Sequence, residues 1–165
     1  MKRRRLEPTL FEPTPPKVYL FDTSAWLNIE SRSDKEHIWS LVRKLADEGR
    51  VCTCHEVIGE LREDSIYETR IKPMEKVLVA GCPNTNDIPF LQRVGRITHD
   101  YPGMSRATSS KTPADQFVVA TAQAEGYTVV ADESKKRPSR KIPGVCAKLR
   151  ISCITLKQFI HDEVK

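Results

Sequence analysis

"VYLFDTSAW", residues 18–26, decides how the rest of the chain reads. Val18 to Phe21 form a continuous apolar run, and an aspartate, Asp22, stops it. A strand with one wet face alternates apolar and polar residues, whereas an unbroken run suits a strand covered on both faces. "RVCTC" (50–54), "YTVVA" (127–131) and "ISCI" (151–154) have the same character.

Between these runs the spacing is helical. In "EHIWSLVRKLADEG", Ile38, Leu41, Val42 and Leu45 recur at one face, and Gly49 closes the segment. "HEVIGELREDSIYE" (55–68) turns Val57, Ile58 and Leu61 inward. "PADQFVVATAQAEG" (113–126) starts with Pro113 in its first turn, carries Ala114, Phe117, Val118 and Ala122 on its inner face, and ends at Gly126. "GVCAKLR" reads as a short helix, and "TLKQFIHDEV" as a final helix capped by Thr155. Residues 72–103 contain several breakers and fit either two short helices or a strand and a helix. Residues 1–16 hold four prolines and no periodicity, which predicts an extended arm before a single domain over 17–165. Strands alternating with helices predict an α/β sandwich around a mostly parallel sheet. In such a sheet the carboxyl ends of the strands line one edge, where ligands bind.

The acids fall on that edge. Asp22 ends the first strand, and Asp132 and Glu133 end "YTVVA". Glu56, Glu60 and Glu63 are spaced to share one face of the helix after "RVCTC", and Asp115 lies in the first turn of the 113–126 helix. Each has an ordinary explanation: Asp22 as a helix cap, Asp115 in a capping box with Thr112, the glutamates as a solvated face, Asp132 and Glu133 as turn residues. Together, four separate segments bring a carboxylate to one rim. Crowded carboxylates resist ionising together, and a divalent cation removes that cost. Hard oxygen ligands suit Mg²⁺ or Mn²⁺, which would activate water and steady the charge on a phosphodiester.

Other chemistries lack their residues. The five cysteines (Cys52, Cys54, Cys82, Cys146, Cys153) read as free, mostly buried thiols, and "CTCH" has no second pair at zinc spacing. The histidines (His37, His55, His99, His161) are scattered. There is no G-x-S-x-G turn, no Walker loop and no G-x-G-x-x-G. An aspartyl-phosphate type of phosphohydrolase needs a second Asp two residues after the first, and Ser24 stands there. No apolar run spans a bilayer and the first residues lack the apolar core of a secretory signal, so a cytoplasmic protein with no membrane contact is expected.

Charge adds a partner. The chain carries +5, yet Lys2 to Arg5 and Lys135 to Lys141 together hold nine positive charges, leaving the remainder at −4. Basic clusters beside an acidic centre predict a polyanionic partner.

The order of these motifs resembles the PIN-domain nuclease family, and within it the VapC-like ribonuclease toxins. The family's strand ending D-[TS]-[SA] is matched by Asp22-Thr23-Ser24, and its helical E-L by Glu60-Leu61. Its D-x-x-x-x-A-x-A with a following Gly is matched by Asp115, Ala120, Ala122 and Gly126. Its last acid lies two residues beyond a small residue, commonly threonine. Here Ala131 takes the small position and Glu133 the acid, where Asp or Asn is usual, with Asp132 next door as the alternative. The resemblance runs from about Val18 to His161.

It implies a three-layer α/β/α sandwich with a parallel sheet of about five strands and Mg²⁺- or Mn²⁺-dependent cleavage of RNA. Asp22, Glu60, Asp115 and Glu133 (or Asp132) would hold metal, with Thr23 or Ser24 orienting a ligand or a phosphate oxygen. Lys135, Lys136, Arg137, Arg140 and Lys141 would hold phosphates, as would Arg106 and Lys111. A homodimer and a neutralising antitoxin are the expected protein partners. A non-catalytic RNA-binding module or RNA-processing factor, and a phosphohydrolase of small phosphates, are the competing expectations.

Overall fold

The structure, a computed structural model, describes residues 13–104, 114–133 and 141–164. Residues 13–16 are exposed and carry no regular secondary structure; the basic part of the expected arm lies outside the described residues.

Four short strands form one all-parallel sheet: β1 (Tyr19–Phe21), β2 (Val51–Cys52), β3 (Thr128–Val130) and β4 (Cys153–Ile154), in the order β2-β1-β3-β4. Tyr19 pairs with Val51 on one side and Thr128 on the other, and Val129 pairs with Cys153. Successive strand residues point to opposite faces, yet Tyr19, Leu20 and Phe21 are all buried. Both faces of the sheet are therefore covered, and the fold is α/β with an all-parallel core compatible with three α/β/α layers. The strand count is four among the described residues, against the expected five.

The covering helices are α1 (Thr23–Glu30), α2 (Lys35–Asp47), α3 (His55–Leu61), α4 (Glu75–Val79), α5 (Ile88–Asp100), α6 (Asp115–Glu125), α7 (Ile142–Leu149) and α8 (Leu156–Glu163). None is long and apolar enough to cross a membrane. Phe159 of α8 meets Tyr19 and Phe21 edge-on, each at 4.9 Å between ring centroids. Trp26 of α1 stacks on Trp39 of α2 at 5.7 Å. Gly49 and Gly126 adopt φ of 71° and 72°, the left-handed conformation that ends α2 and α6. Thr155 caps α8 in a reciprocal capping box with Gln158.

One stretch departs from the sequence reading, and another settles an alternative it left open. The helix expected to continue to residue 68 ends at Leu61, and Glu63 lies exposed in the turn beyond it. Asp64 takes the N–H of Ile66 at 3.0 Å, a local bond that competes with helix continuation. Over 72–103 the two-helix alternative holds: a π turn at Tyr67–Ile71 and a 3₁₀ turn at Lys72–Met74 lead into α4 and α5, with turns between them and no strand. Pro73 lacks the N–H that an α ladder would need, and the tight turn falls at that position.

At the amino edge of the sheet, Arg50 donates to both carboxylate oxygens of Glu163 at 2.9 and 2.6 Å, and Tyr19 donates to the same carboxylate at 2.7 Å. This clamp ties the end of α8 to β1 and to the residue before β2.

Candidate functional site

The order β2-β1-β3-β4 reverses direction between β1 and β3, because β2 lies to one side of β1 while β3 and β4 lie to the other. Such a switch point opens a crevice at the carboxyl ends of its two strands. Asp22 follows β1 directly, and its N–H reaches Val130 O at 3.0 Å, continuing the ladder by one residue. Ala131, Asp132 and Glu133 follow β3.

Asp22 is 3% exposed. Its carboxylate caps α1 through Oδ2, which accepts from Ser24 N at 3.2 Å and Ser24 Oγ at 2.7 Å. Burial raises its pKa; the bonds from Ser24 and the Thr23 N–H oppose that, and the charge of Glu60 adds to it. Cap and site are the same group: the residue that starts α1 also faces the other acids.

Asp115 sits half-buried at the start of α6, on the residue after Ala114. Its carboxyl is pushed up to about 8, first by burial and then by the charges of Asp22, Glu133 and Glu60, with Lys141 pulling the other way. Glu133 is likewise raised, by burial and then by Asp22, against its bond from Ile142 N at 2.9 Å and the charge of Lys141. Glu60, on α3, accepts from Thr23 Oγ1 and from Ala114 N at 3.3 Å, so it links the starts of α1 and α6. The four acids of the sequence motif are thus brought into electrostatic contact. Among the described residues, however, no group of three or more His, Cys, Asp or Glu is drawn together tightly enough to hold a metal ion.

The neighbouring acids behave differently. Asp132 commits one oxygen to Leu156 N and the other to Asn28 Nδ2, each at 3.0 Å. Glu56 is half-buried, and burial raises its carboxyl. All four histidines are exposed. The five thiols are free; Cys52, Cys54 and Cys146 are buried, and Cys82 and Cys153 half-buried.

Of the expected phosphate-holding residues, Lys141 is described, half-buried at the start of α7 and close enough to act on Asp115 and Glu133. Lys135, Lys136, Arg137, Arg140, Arg106 and Lys111 lie outside the described residues, as does Thr112. Sequence reading passed over Asn28, whose only signal was a polar residue on the α1 turn after Ser24. Lys141 was read as one member of a basic loop; it precedes Ile142, whose N–H bonds Glu133.

The arrangement is a parallel α/β sheet with an acid-lined switch point. Residues 19–164 match a family described as a domain of unknown function (DUF4411), and the chain belongs to that family. No curated protein matches it.

Proposed function

We propose that the protein is a metal-dependent endoribonuclease of PIN type that hydrolyses RNA phosphodiesters at the switch point. The observation that carries this reading is the convergence of Asp22, which is buried, with Asp115, Glu133 and Glu60, which are half-buried, close enough for their charges to act on one another. Burying like charges together is unfavourable unless something offsets them. A hard cation would offset it, and the four acids offer the carboxylate oxygens that such a cation prefers.

The same four acids would hold Mg²⁺ or Mn²⁺, directly or through water. Hydrogen bonds to Glu60 and Asp22 do not prevent this, since each carboxylate oxygen has two acceptor sites and metal-bound carboxylates usually keep such bonds. The bound ion would supply an activated water and stabilise the charge on the phosphorane-like transition state. Asp22 and Asp115 orient that site, Ser24 fixes the direction of Asp22, and Lys141 offers a positive charge to a phosphate. The basic stretches at 105–112 and 135–141 would hold the RNA backbone.

On this reading the protein works in the cytoplasm as a homodimer and as the toxin of a toxin–antitoxin pair. The absence of a closed three-ligand cluster among the described residues favours a second reading, a non-catalytic RNA-binding or RNA-processing factor on the same fold. Incubation with structured RNA separates them. The nuclease reading expects cleavage in Mg²⁺ or Mn²⁺, abolished by EDTA and by Asp22→Asn. RNA binding without cleavage, unchanged in Asp115→Asn, supports the second.

A further inference from the structure

One hydroxyl joins the two strand ends that flank the switch point. Ser24 Oγ accepts from the N–H of Asp132 at 3.0 Å and donates to Asp22 Oδ2 at 2.7 Å. A hydroxyl has one proton, so the bond it accepts from Asp132 helps fix the direction in which that proton is given. Asp132 is itself held from two sides. Leu156, the first residue of α8, donates its N–H to Oδ1, and Asn28 Nδ2 donates to Oδ2, both at 3.0 Å. Glu133, one residue further, is in electrostatic contact with both Asp115 and Asp22.

We infer that Asp132 is a positioning residue: its carboxylate, held by Leu156 and Asn28, fixes the main-chain N–H that Ser24 accepts, and Ser24 in turn sets the Asp22 carboxylate for cation binding. This rests on the reading of Asp22 as a metal-binding acid. It separates two adjacent carboxylates that sequence alone leaves interchangeable: Glu133 faces the other acids, and Asp132 holds the frame. It also links the site to the C-terminal helix, because the backbone bond that anchors Asp132 comes from the residue that opens α8. Phe159, one turn later, packs on Phe21 at the end of β1. Docking of α8 and the orientation of Asp22 are then parts of one unit. Groups that orient a metal-bound carboxylate usually change affinity 10–100-fold when removed.

Calorimetric titration of the full chain with Mn²⁺, alongside single-turnover and steady-state RNA cleavage, tests this. Ser24→Ala and Asp132→Ala should each weaken Mn²⁺ binding about 10–100-fold. Because one acts through the other, the double variant should lose no more than about 3-fold beyond the weaker single variant. Ser24→Thr, which restores the hydroxyl, should recover binding to within about 3-fold of wild type, and kcat should fall in the alanine variants with KM for RNA unchanged. Asn28→Ala, at an exposed position that leaves the core intact, should show a smaller loss of about 3-fold. Losses that multiply in the double variant would mean that Asp132 binds the ion on its own account and would overturn the inference, as would wild-type affinity in Ser24→Ala. Mn²⁺ binding with these losses but no RNA cleavage by the wild type removes the nuclease reading and leaves the positioning role standing. No Mn²⁺ binding by the wild type overturns both.

Discussion

The two edges of the sheet treat buried carboxylates in opposite ways. At the amino edge, burial pushes Glu163 up, but the bonds from Arg50 and Tyr19 outweigh it and hold the carboxylate below its ordinary range. At the carboxyl edge, burial pushes Asp22, Asp115 and Glu133 up, and the neighbouring acids push the same way, with Lys141 opposing them at Asp115 and Glu133. Glu163 meets a guanidinium; Asp115 meets three acids and one lysine. The amino edge is electrostatically complete and serves to fasten α8. Among the described residues, the carboxyl-edge acids outnumber the one lysine that acts on them, and on the proposed reading a cation would make up that difference.

The contrast can be broken with paired substitutions. If the protein is the proposed nuclease, Asp22→Asn should lower RNA cleavage by about 10³-fold or more while the fold is retained, since that reading puts Asp22 at the reacting centre. Arg50→Ala should do the reverse: it leaves Glu163 half-buried without its main partner, lowering stability by about 2–4 kcal/mol in urea denaturation with little change in Mn²⁺ affinity. If Arg50→Ala instead abolished metal binding and left stability unchanged, the two edges would not be distinct.

Acidity sharpens the comparison further. Asp115 has a folded pKa of about 8, above its ordinary value of 3.8, so between these values the folded chain binds more protons than the unfolded one. Its contribution is favourable to folding at low pH and is lost as pH rises through that window. Metal-free protein should therefore lose stability from about pH 5 to pH 8, and Asp115→Asn should flatten this trend, gaining about 1–3 kcal/mol at pH 8. Glu163 has the opposite sign: its lowered pKa stabilises above the ordinary carboxylate range, and that contribution disappears as pH falls through the folded value. Thermal melts across pH, with and without EDTA, check both.

Much of this was legible in the chain. The unbroken apolar runs at 18–21 and 127–131 marked strands buried on both faces, which is how Tyr19 to Phe21 and Thr128 to Val130 are found. The caps at Thr155, Gly49 and Gly126 were readable because their chemistry is local. The acids Asp22, Glu60, Asp115 and Glu133 could be placed on one edge because strand ends and helix starts fix direction. What was not legible depends on long-range bonds. Strand β2 stops at Cys52 because the next residue turns to other partners: Thr53 N bonds Leu78 O at 3.0 Å and Thr53 Oγ1 bonds Phe21 O at 2.7 Å. Asp132 and Glu133 look alike in sequence, and only contacts with Asn28, Leu156 and Ile142 tell them apart. The periodic glutamates promised a longer α3, but the local bond at Asp64 and the turn it makes left Glu63 outside it.

Titration of the metal-free chain with Mn²⁺, followed by the electron paramagnetic resonance signal of the free ion, tests the central claim most directly. The wild-type protein should quench that signal with saturable binding, and Asp115→Asn should abolish or greatly weaken the quenching while Arg50→Ala leaves it intact. Free-ion signal that stays unchanged with a folded wild-type protein, or equal binding in Asp115→Asn, would contradict the claim that the carboxyl-edge acids serve a cation.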